Sequence, residues 1–320
     1  MKILANDGIS KSGIKALENA GFEVISIKVA QEQLKNFINE EKINVLLVRS
    51  ATQVRKELID ACPSLKVIGR GGVGMDNIDV SYARSKDLKV INTPSASSKS
   101  VAELVFAHLF GGVRYLHDSN RNMPLSGDSH FKDLKKNYSA GIELRGKTLG
   151  IIGIGRIGKE VAKLALGVGM KVIASDDHVG EIDITLKFYN DQLVTVPIKT
   201  EPVADLIKHS DFITIHVPSQ AKPILGKKEF EQMKYGVGII NTSRGGLISE
   251  EALLDGLEDG KVAFAGLDVY ENEPSPSIKI LMNERISLTP HIGAATLEAQ
   301  DRIGMELAEQ IIAILKNEKV

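Results

Sequence analysis

The stretch Lys147–Asp176, KTLGIIGIGRIGKEVAKLALGVGMKVIASD, decides the fold. It opens with a short apolar run, Thr148–Ile152, which is typical of a buried strand. A glycine turn at 153–158 (Gly-Ile-Gly-Arg-Ile-Gly) comes next, and Lys159–Leu166 then shows helical spacing of its apolar residues. A second apolar run ends at Asp176. This order of strand, glycine turn, helix, strand and acid predicts a dinucleotide site at the edge of a parallel sheet.

The glycines of the turn each have a physical purpose in such a site. Gly153 permits the tight turn, Gly155 lets the backbone approach a pyrophosphate, and Gly158 lets the helix pack close to the strand. The helix N-terminus offers free N–H groups to the phosphates. Asp176 would bind the ribose hydroxyls and repel a 2′-phosphate, and no Arg or Lys follows it at 177–179. NAD is therefore favoured over NADP; a purely structural glycine turn is the alternative.

Composition excludes several other classes of protein. The 320 residues are 43% hydrophobic and 25% charged, with a formal net charge of −1, so nothing favours attraction to nucleic acid or a membrane. A single cysteine, Cys62, excludes an internal disulfide and a cysteine-only metal site. The seven histidines form no metal-binding H-E-x-x-H pattern, so no metal is expected. The first residues lack the apolar core of a signal peptide, and a cytoplasmic location is expected.

Residues 1–97 alternate short apolar runs with amphipathic runs of helical spacing. This rhythm predicts a parallel, doubly wound α/β sheet. Two loops lie just past a strand, where such sheets bind ligands: 49–52 (Arg-Ser-Ala-Thr) and 70–74 (Arg-Gly-Gly-Val-Gly). A solvated basic loop is the alternative for each. The predicted strands are Lys2–Ala5, Phe22–Val29, Val45–Arg49, Val67–Gly69 and Val90–Asn92.

The middle of the chain changes character. Ser100–Tyr115 is apolar nearly all round, which predicts a buried helix. His108 within it is interpreted as a hydrogen-bonded core or interface histidine rather than a ligand. The polar residues 117–145 are predicted to form an arm or loop outside the sheet.

The second half of the chain continues the strand pattern after one irregular piece. Ile182–Phe188 and Gln192–Ile198 alternate apolar and polar residues around a turn at 190–191, which predicts a hairpin. Thr296–Asn317 is predicted to be a long amphipathic helix. Further strands are predicted at Phe212–Val217, Gly238–Asn241, Ala263–Asp268 and Ile286–Thr289.

Polar clusters follow the last three of these strands. Arg244 lies in the first cluster, Asp268 and Glu273 in the second, and His291 in the third. Because the carboxyl ends of parallel strands share one edge, a cofactor on the glycine turn would meet these side chains together.

Those residue types suit hydride transfer from a hydroxy acid. The ordinary pKa of histidine is about 6.5, so His291 can take the hydroxyl proton as the hydride leaves. Glu273 would hold the far ring nitrogen, and Arg244 offers a fork for a substrate carboxylate. Asp268 could orient the nicotinamide carboxamide. The alternatives are that Asp268 caps a helix, that Glu273 lies in an ordinary surface turn, and that Arg244 is a loop arginine with its hydrogen bonds satisfied. His216 is interpreted as a cofactor-edge or structural histidine rather than the base.

Motifs along essentially the whole chain resemble the D-isomer-specific 2-hydroxyacid dehydrogenase family. They include Val48–Thr52, Gly69–Asp79, Asn92–Pro94 with Ser100–Leu104, the 146–158 glycine motif, His216–Pro218, Asn241–Gly246, Gly266–Pro274 and Pro290–Thr296. The family's catalytic arginine, glutamate and histidine fall on Arg244, Glu273 and His291. Its cofactor contacts fall on Gly153, Gly155, Arg156, Ile157, Gly158, Asp176, His216, Val217, Pro218, Thr242, Ser243 and Asp268.

The resemblance also implies an architecture of two doubly wound domains. The flavodoxin-like substrate domain would comprise 1–97 and 292–320, and the Rossmann NAD domain 98–291. A homodimer built through the NAD domains is implied.

Within the family, the chain is most similar to members that oxidise D-3-phosphoglycerate to 3-phosphohydroxypyruvate in serine biosynthesis. Substrate contacts would fall on Arg49, Ser50, Arg70, Val73 and Gly74, with the arginines on the phosphate side. Two alternatives stay open. The protein could be a glyoxylate or hydroxypyruvate reductase or another D-2-hydroxyacid dehydrogenase, or it could bind NAD as a sensor without catalysis.

The chain departs from the family pattern in places that bear on substrate choice and regulation. Ser97 replaces a usual asparagine, Ser219-Gln220 replaces a usual Leu-Thr, and a usual tryptophan is missing near His130. The hairpin at 182–198 is longer than the family norm. Because the sequence ends at Val320, we expect no serine-sensing regulatory domain and no feedback inhibition by that route.

Overall fold

Parallel strands alternating with helices build both parts of the molecule. The computed structural model describes residues 1–317. Two compact units divide the chain: one joins Met1–Ser100 to the residues from Ala294 onward, and the other is Val101–Gly293. We call them unit 1 and unit 2.

The bounds of the described elements are as follows. The strands are β1 Lys2–Ala5, β2 Glu23–Ile25, β3 Val45–Val48, β4 Val67–Arg70, β5 Lys89–Asn92, β6 Thr148–Ile152, β7 Lys171–Ser175, β8 Glu181–Lys187, β9 Leu193–Lys199, β10 Phe212–Ile215, β11 Val237–Asn241, β12 Val262–Leu267 and β13 Ile286–Leu288. The helices are α1 Lys11–Asn19, α2 Gln31–Glu40, α3 Lys56–Ala61, α4 Val80–Ser85, α5 Ser98–Val113, α6 Leu116–Ser126, α7 Phe131–Asn137, α8 Arg156–Val168, α9 Val203–His209, α10 Lys227–Gln232, α11 Glu250–Glu258, α12 Ile278–Leu281 and α13 Leu297–Asn317.

Unit 1 is a five-stranded parallel sheet in the order β2-β1-β3-β4-β5. This is the flavodoxin-like order, in which ligands bind at the carboxyl ends of the strands. One face of the sheet is covered by α1 and α13, with Ile303, Leu307 and Ile311 of α13 in that core. The two helices approach closely: a Cβ on Gly13 of α1 would lie 2.7 Å from the carbonyl oxygen of Gly304 of α13.

Unit 2 contains a six-stranded parallel sheet in the order β13-β12-β11-β10-β6-β7. In the dinucleotide-binding order, a third strand lies beyond the second. Within residues 1–317, a single parallel bridge from Thr200 to Ala174 of β7 extends the sheet in that direction. The predicted α/β class with doubly wound parallel sheets is confirmed.

The predicted hairpin forms and takes the place of a crossover helix. Strands β8 and β9 pair antiparallel, with Ile184 opposite Val196 and Ile182 opposite Ile198. Ile184 is 1% exposed and belongs to the same core cluster as Val161 of α8. The apolar face of a two-stranded ribbon therefore does the packing that a helix would do between β7 and Thr200.

Some sequence expectations were wrong. Residues 117–145, expected as an arm or loop outside the sheet, do contribute no strand to a sheet, but they contain the helices α6 and α7, and α6 has no fully buried side chain. Strand β2 stops at Ile25 rather than Val29, because the Asn6 side chain bonds both backbone groups of Val29 and draws it out of the ladder. Three helices of unit 2, α10, α11 and α12, were not predicted.

A bilayer-spanning segment is not found among the helices of residues 1–317, none of which combines the necessary length and apolar character.

Candidate active site

The glycine turn connects β6 to α8 in the geometry a pyrophosphate needs. Gly153 has a φ of 92°, which favours glycine, and a Cβ on Gly158 would lie 2.1 Å from the Gly153 carbonyl oxygen. A Cβ on Gly155 would instead meet no atom within 4 Å, so the backbone there faces open space. The first N–H groups of α8 have no acceptor within the helix. The turn thus fits a phosphate-bearing cofactor.

Asp176 lies beside this turn, as predicted from its place at the end of the second strand. Its Oδ2 accepts from the Ile154 backbone N–H at 3.0 Å, and its Oδ1 accepts from His178 N–H at 2.9 Å. The carboxylate is therefore fixed next to the glycine turn, where an adenosine ribose would lie.

Two polar atoms near the next strand ends lie out of solvent without a partner among the described residues. They are Nδ1 of His216 and Oγ1 of Thr242. The other ring nitrogen of His216, Nε2, lies 2.9 Å from the Thr214 hydroxyl, and burial lowers the pKa of His216 to about 3. A neutral His216 agrees with a cofactor-edge or structural role. Unpaired buried polar atoms beside a glycine turn fit a bound dinucleotide, whose polar groups would satisfy them.

The loop after β11 is held by its own side chains. Asn241 donates from Nδ2 to the Arg244 carbonyl at 2.8 Å and accepts from Ser243 N–H at 3.1 Å. Ser243 Oγ donates to the Val217 carbonyl at 2.8 Å. The guanidinium of Arg244 donates to the Ser243 carbonyl at 2.6 Å. These bonds fix the backbone from which Arg244 projects.

Glu273 and His291, 18 residues apart in sequence, meet directly. The Glu273 Oε2 lies 2.8 Å from Nδ1 of His291, and the Glu273 Oε1 accepts from Tyr270 N–H at 3.1 Å. A carboxylate only accepts, so Nδ1 carries the proton and Nε2 is left for a substrate. The pair is partly open to solvent, with 42% of the His291 side chain exposed.

The Arg244 loop packs against the loop that carries Glu273. A Cβ on Gly245 would lie 1.8 Å from the carbonyl oxygen of Tyr270, so only glycine allows this approach. Tyr270 is also the residue whose N–H holds Glu273. The structure therefore brings the loops of Arg244, Glu273 and His291 together at the carboxyl edge of one sheet.

Asp268 makes hydrogen bonds within the protein that were not predicted from the sequence. It is fully buried, and it accepts from the backbone N–H groups of Ile292 at 2.7 Å and Gly293 at 2.8 Å. It also accepts from the Thr289 hydroxyl at 2.6 Å. It holds the turn around His291, whose φ of 55° is left-handed. The nicotinamide contact expected of Asp268 stays a prediction.

Tyr270 also stabilises the turn around His291. Its hydroxyl donates to the Thr289 carbonyl at 2.9 Å, and burial raises its pKa to about 12. The phenol thus stays protonated and keeps donating over the physiological pH range.

The predicted substrate residues lie in unit 1, on loops after the neighbouring strands β3 and β4. Asn77, on the segment between β4 and α4, joins this segment to the loop after β3. Its Nδ2 donates to the carbonyls of Arg49 at 2.7 Å and Thr52 at 2.6 Å. The guanidinium of Arg70 curls over Gly72, where a Cβ would lie 1.7 Å from Nη1. Ser50, Val73 and Gly74 lie on the same two loops, and Val73 is 37% exposed.

Asp7, which sequence reasoning missed, holds the first of these loops. Its Oδ2 accepts from Arg49 N–H at 2.7 Å and Thr52 N–H at 3.1 Å, and its other oxygen pairs with Lys28. Burial alone would raise the pKa of Asp7, but the bonds from Lys28, Arg49 and Thr52 outweigh it and hold the pKa below its usual value. The carboxylate stays ionised and the loop stays anchored.

The residue range 1–317 contains no group of three or more His, Cys, Asp or Glu side chains that could hold a metal ion.

Comparison with known proteins agrees with this geometry. Residues 106–293 match the model of the D-isomer specific 2-hydroxyacid dehydrogenase, NAD binding domain. A hydroxypyruvate reductase of Thermotoga maritima is 42% identical over 316 residues, which cover 97% of this chain and 97% of the reductase.

A second relative and a solved structure extend the comparison. A D-3-phosphoglycerate dehydrogenase of Methanocaldococcus jannaschii is 39% identical over 320 residues. The match covers 99% of this chain but spans only 58% of that dehydrogenase. The crystal structure of a D-lactate dehydrogenase from Aquifex aeolicus, complexed with NAD and lactic acid, has a TM-score of 0.75 and 27% identity over 99% of this chain and 96% of that chain. The chain therefore belongs to the D-isomer specific 2-hydroxyacid dehydrogenase family and is an NAD-dependent enzyme.

Proposed function

We propose that the protein interconverts D-3-phosphoglycerate and 3-phosphohydroxypyruvate with NAD, as in serine biosynthesis. The observation that carries the substrate class is the pair of arginines, Arg49 and Arg70, on loops that Asn77 ties together in unit 1. Two guanidinium groups on neighbouring strand ends suit a substrate with two anionic groups. A D-3-phosphoglycerate dehydrogenase at 39% identity supports this assignment.

The proton transfer is assigned to His291. When held at the glycine turn, NADH would supply a hydride to the carbon of the 2-oxo group. In the same step His291 gives its Nε2 proton to the carbonyl oxygen, which yields the 2-hydroxy acid and leaves the imidazole neutral. In the reverse direction Nε2 takes the hydroxyl proton.

Glu273 and Arg244 act on charge that changes during this step. The Glu273 carboxylate, 2.8 Å from Nδ1, stabilises the imidazolium and fixes the ring. Arg244 is proposed to bind the substrate carboxylate and the carbonyl oxygen, where negative charge develops before the proton arrives.

The remaining cofactor contacts proposed are those of the glycine turn, Asp176, the 216–218 segment, Thr242, Ser243 and Asp268. We also propose a homodimer built through unit 2, since Phe110, Leu116 and Leu125 of that unit expose large apolar surface. A cytoplasmic location is proposed from the single, buried cysteine.

A second candidate function is reduction of hydroxypyruvate without a phosphate. The hydroxypyruvate reductase of Thermotoga maritima, at 42% identity with 97% of both chains covered, supports it. The two candidates differ in whether a phosphate on the substrate improves catalysis.

A substrate panel with NADH tests the proposal. We expect kcat/KM for 3-phosphohydroxypyruvate to exceed that for hydroxypyruvate, glyoxylate and 2-oxoglutarate. Arg49→Ala or Arg70→Ala should lower it about 10- to 100-fold, the loss of one charge-assisted contact, with a smaller effect on hydroxypyruvate. Arg55→Ala is the matched control, because Arg55 lies in the same unit and pairs with Asp79 instead.

The other outcomes separate the alternatives. Equal kcat/KM with and without phosphate would replace the proposal by hydroxypyruvate reduction. NADH binding without turnover of any of these acids would favour an NAD sensor.

A further inference from the structure

His108 is a buried titratable group that the proposed reaction does not use. It lies on α5 with 3% of its surface exposed. Its side chain packs on Gly266 of β12, where a Cβ would come within 2.5 Å of the His108 Cβ. The close approach brings the imidazole to the end of the neighbouring strand, β13. Its Nδ1 lies 2.9 Å from the Ser287 hydroxyl, and its Nε2 lies 3.2 Å from the Thr289 hydroxyl.

The direction of each hydrogen bond in this group follows from the inventory of donors. Asp268 accepts from Ile292 N–H, Gly293 N–H and the Thr289 hydroxyl. Since the single proton of Thr289 goes to Asp268, Thr289 must accept from His108 Nε2–H. The Nδ1 of His108 then accepts from the Ser287 hydroxyl.

This arrangement needs a neutral imidazole with one N–H and one lone pair. Burial lowers the pKa of His108 to about 4, against a weaker raising effect of Asp268. The ring is therefore neutral at physiological pH, and the direction of its bonds does not change there.

The bonds end at the turn that carries His291. Ile292 and Gly293, the two residues after it, donate their backbone N–H groups to Asp268. His291 itself adopts a left-handed φ of 55°, which a non-glycine residue keeps only when its surroundings hold it. The conformation of this turn determines the direction in which Nε2 of His291 points.

We propose that His108 is a positioning residue for His291: its Nε2–H orients the Thr289 hydroxyl toward Asp268, and Asp268 in turn fixes the 291–293 turn. The inference rests on the proposed role of His291 in proton transfer. It adds a residue remote in sequence, on another element, that acts without touching substrate or cofactor.

Three substitutions of His108 test it. His108→Gln places an amide nitrogen near the position of Nε2 and keeps the donor to Thr289. His108→Asn mimics only the Nδ1 side, and His108→Met fills the volume without a donor. If Met fails to fold, the Gln and Asn pair still separates the donor from the packing.

The first readout is hydrogen exchange at the Ile292 and Gly293 amides in the full chain. We expect exchange about 10-fold faster or more in the Met and Asn variants, and wild-type exchange in the Gln variant. Ser210→Ala is the control, because Ser210 is also buried in unit 2 but donates to Leu206 at the opposite end of the sheet. It should leave both amides unchanged.

The second readout is kcat per NADH-binding site, with the primary isotope effect from deuterated NADH. We expect kcat to fall about 10-fold in the Met and Asn variants, with NADH affinity within 2-fold of wild type and an isotope effect at or above the wild-type value. A role in stability alone would lower the number of NADH-binding sites and leave kcat per site unchanged.

The outcomes distinguish this inference from the proposed function. A wild-type enzyme without turnover would overturn the proposed function, and amide exchange would still decide the positioning. Unchanged exchange at 292 and 293 in the Met and Asn variants, or equal exchange in Gln and Met, would overturn the inference.

Discussion

The pairing of Glu273 with His291 is the most informative contact in unit 2. Tyr270 N–H holds one carboxylate oxygen of Glu273, and His291 Nδ1 binds the other. A carboxylate fixed at both oxygens orients the imidazole as well as stabilising its positive charge.

Replacing the carboxylate by an amide should therefore impair proton transfer. We expect Glu273→Gln to lower kcat for reduction of the preferred 2-oxo acid by about 100-fold or more, while the Kd for NADH stays within 2-fold. Steady-state kinetics and NADH fluorescence titration measure the two quantities. Glu271→Gln is the control, because Glu271 accepts from Glu250 N–H instead. Equal losses in both variants would contradict the assignment.

His108 should also make stability depend on pH. Its pKa falls from an ordinary 6.5 to about 4 on burial, so between these values the unfolded chain binds a proton that the native state does not. Stability then rises with pH across this window and is lost as pH falls from 6.5 toward 4. Comparing wild type with His108→Gln by urea unfolding at pH 7 and pH 5, we expect wild type to lose about 2 kcal/mol more. Parallel losses would show that His108 titrates normally.

At the residue scale, the sequence predicts the position of a side chain in the site when that position follows from the order of the strands. Asp176 is found at the glycine turn because it ends the strand after it, and Glu273 meets His291 because both follow neighbouring strands. The bonds of Asp268 to Thr289 and of Asn77 to Arg49 were not predicted. Such bonds depend on the exact path of loops, which no periodic pattern encodes.

At the scale of elements, the hairpin of β8 and β9 shows what alternation can predict. Its period of two identified the strands and their turn, and the inward face carries Ile184 and Ile198 into the core. Residues toward the tip, such as Leu193 at 60% exposure, extend beyond that core. The pattern alone did not show that the ribbon replaces a crossover helix.

The two parts of the hairpin should respond differently to truncation. We expect Ile184→Ala to lower the free energy of unfolding by about 2–4 kcal/mol, since it leaves a cavity against α8. Leu193→Ala, at an exposed position, should change it by less than about 0.5 kcal/mol. Thermal or urea unfolding of both variants measures this. Similar losses would mean that the tip is also packed.

Helices α6 and α7 mark the limit of pattern-based prediction. Residues 116–126 have no fully buried side chain and contain Pro124 within the helix, so neither apolar spacing nor composition indicates a helix. Contacts such as the bond from Tyr138 to Asp118, 20 residues away, stabilise this segment. Those contacts are visible only once the chain is folded.

At the scale of the whole molecule, the cofactor should stabilise the enzyme selectively. NADH at about 100 times its Kd adds about 2.7 kcal/mol of stability by mass action. NADPH at the same concentration should add clearly less, because the Asp176 carboxylate would face its 2′-phosphate. Differential scanning fluorimetry with both nucleotides measures the shifts, and Asp176→Asn should narrow the difference. Equal shifts in wild type would contradict the predicted NAD preference.

Helix α13 has a consequence for how the protein is made on the ribosome. Ile303, Leu307 and Ile311 cover a face of the unit 1 sheet whose strands, β1 and β3 to β5, are translated first. Helix α1 covers part of that face early, but the part that α13 covers stays exposed until α13 has left the exit tunnel, after all of unit 2 has been synthesised. Unit 2 can thus complete its core before unit 1 does during synthesis. We expect chaperones to bind the apolar strand surface of unit 1 that is still exposed at that stage.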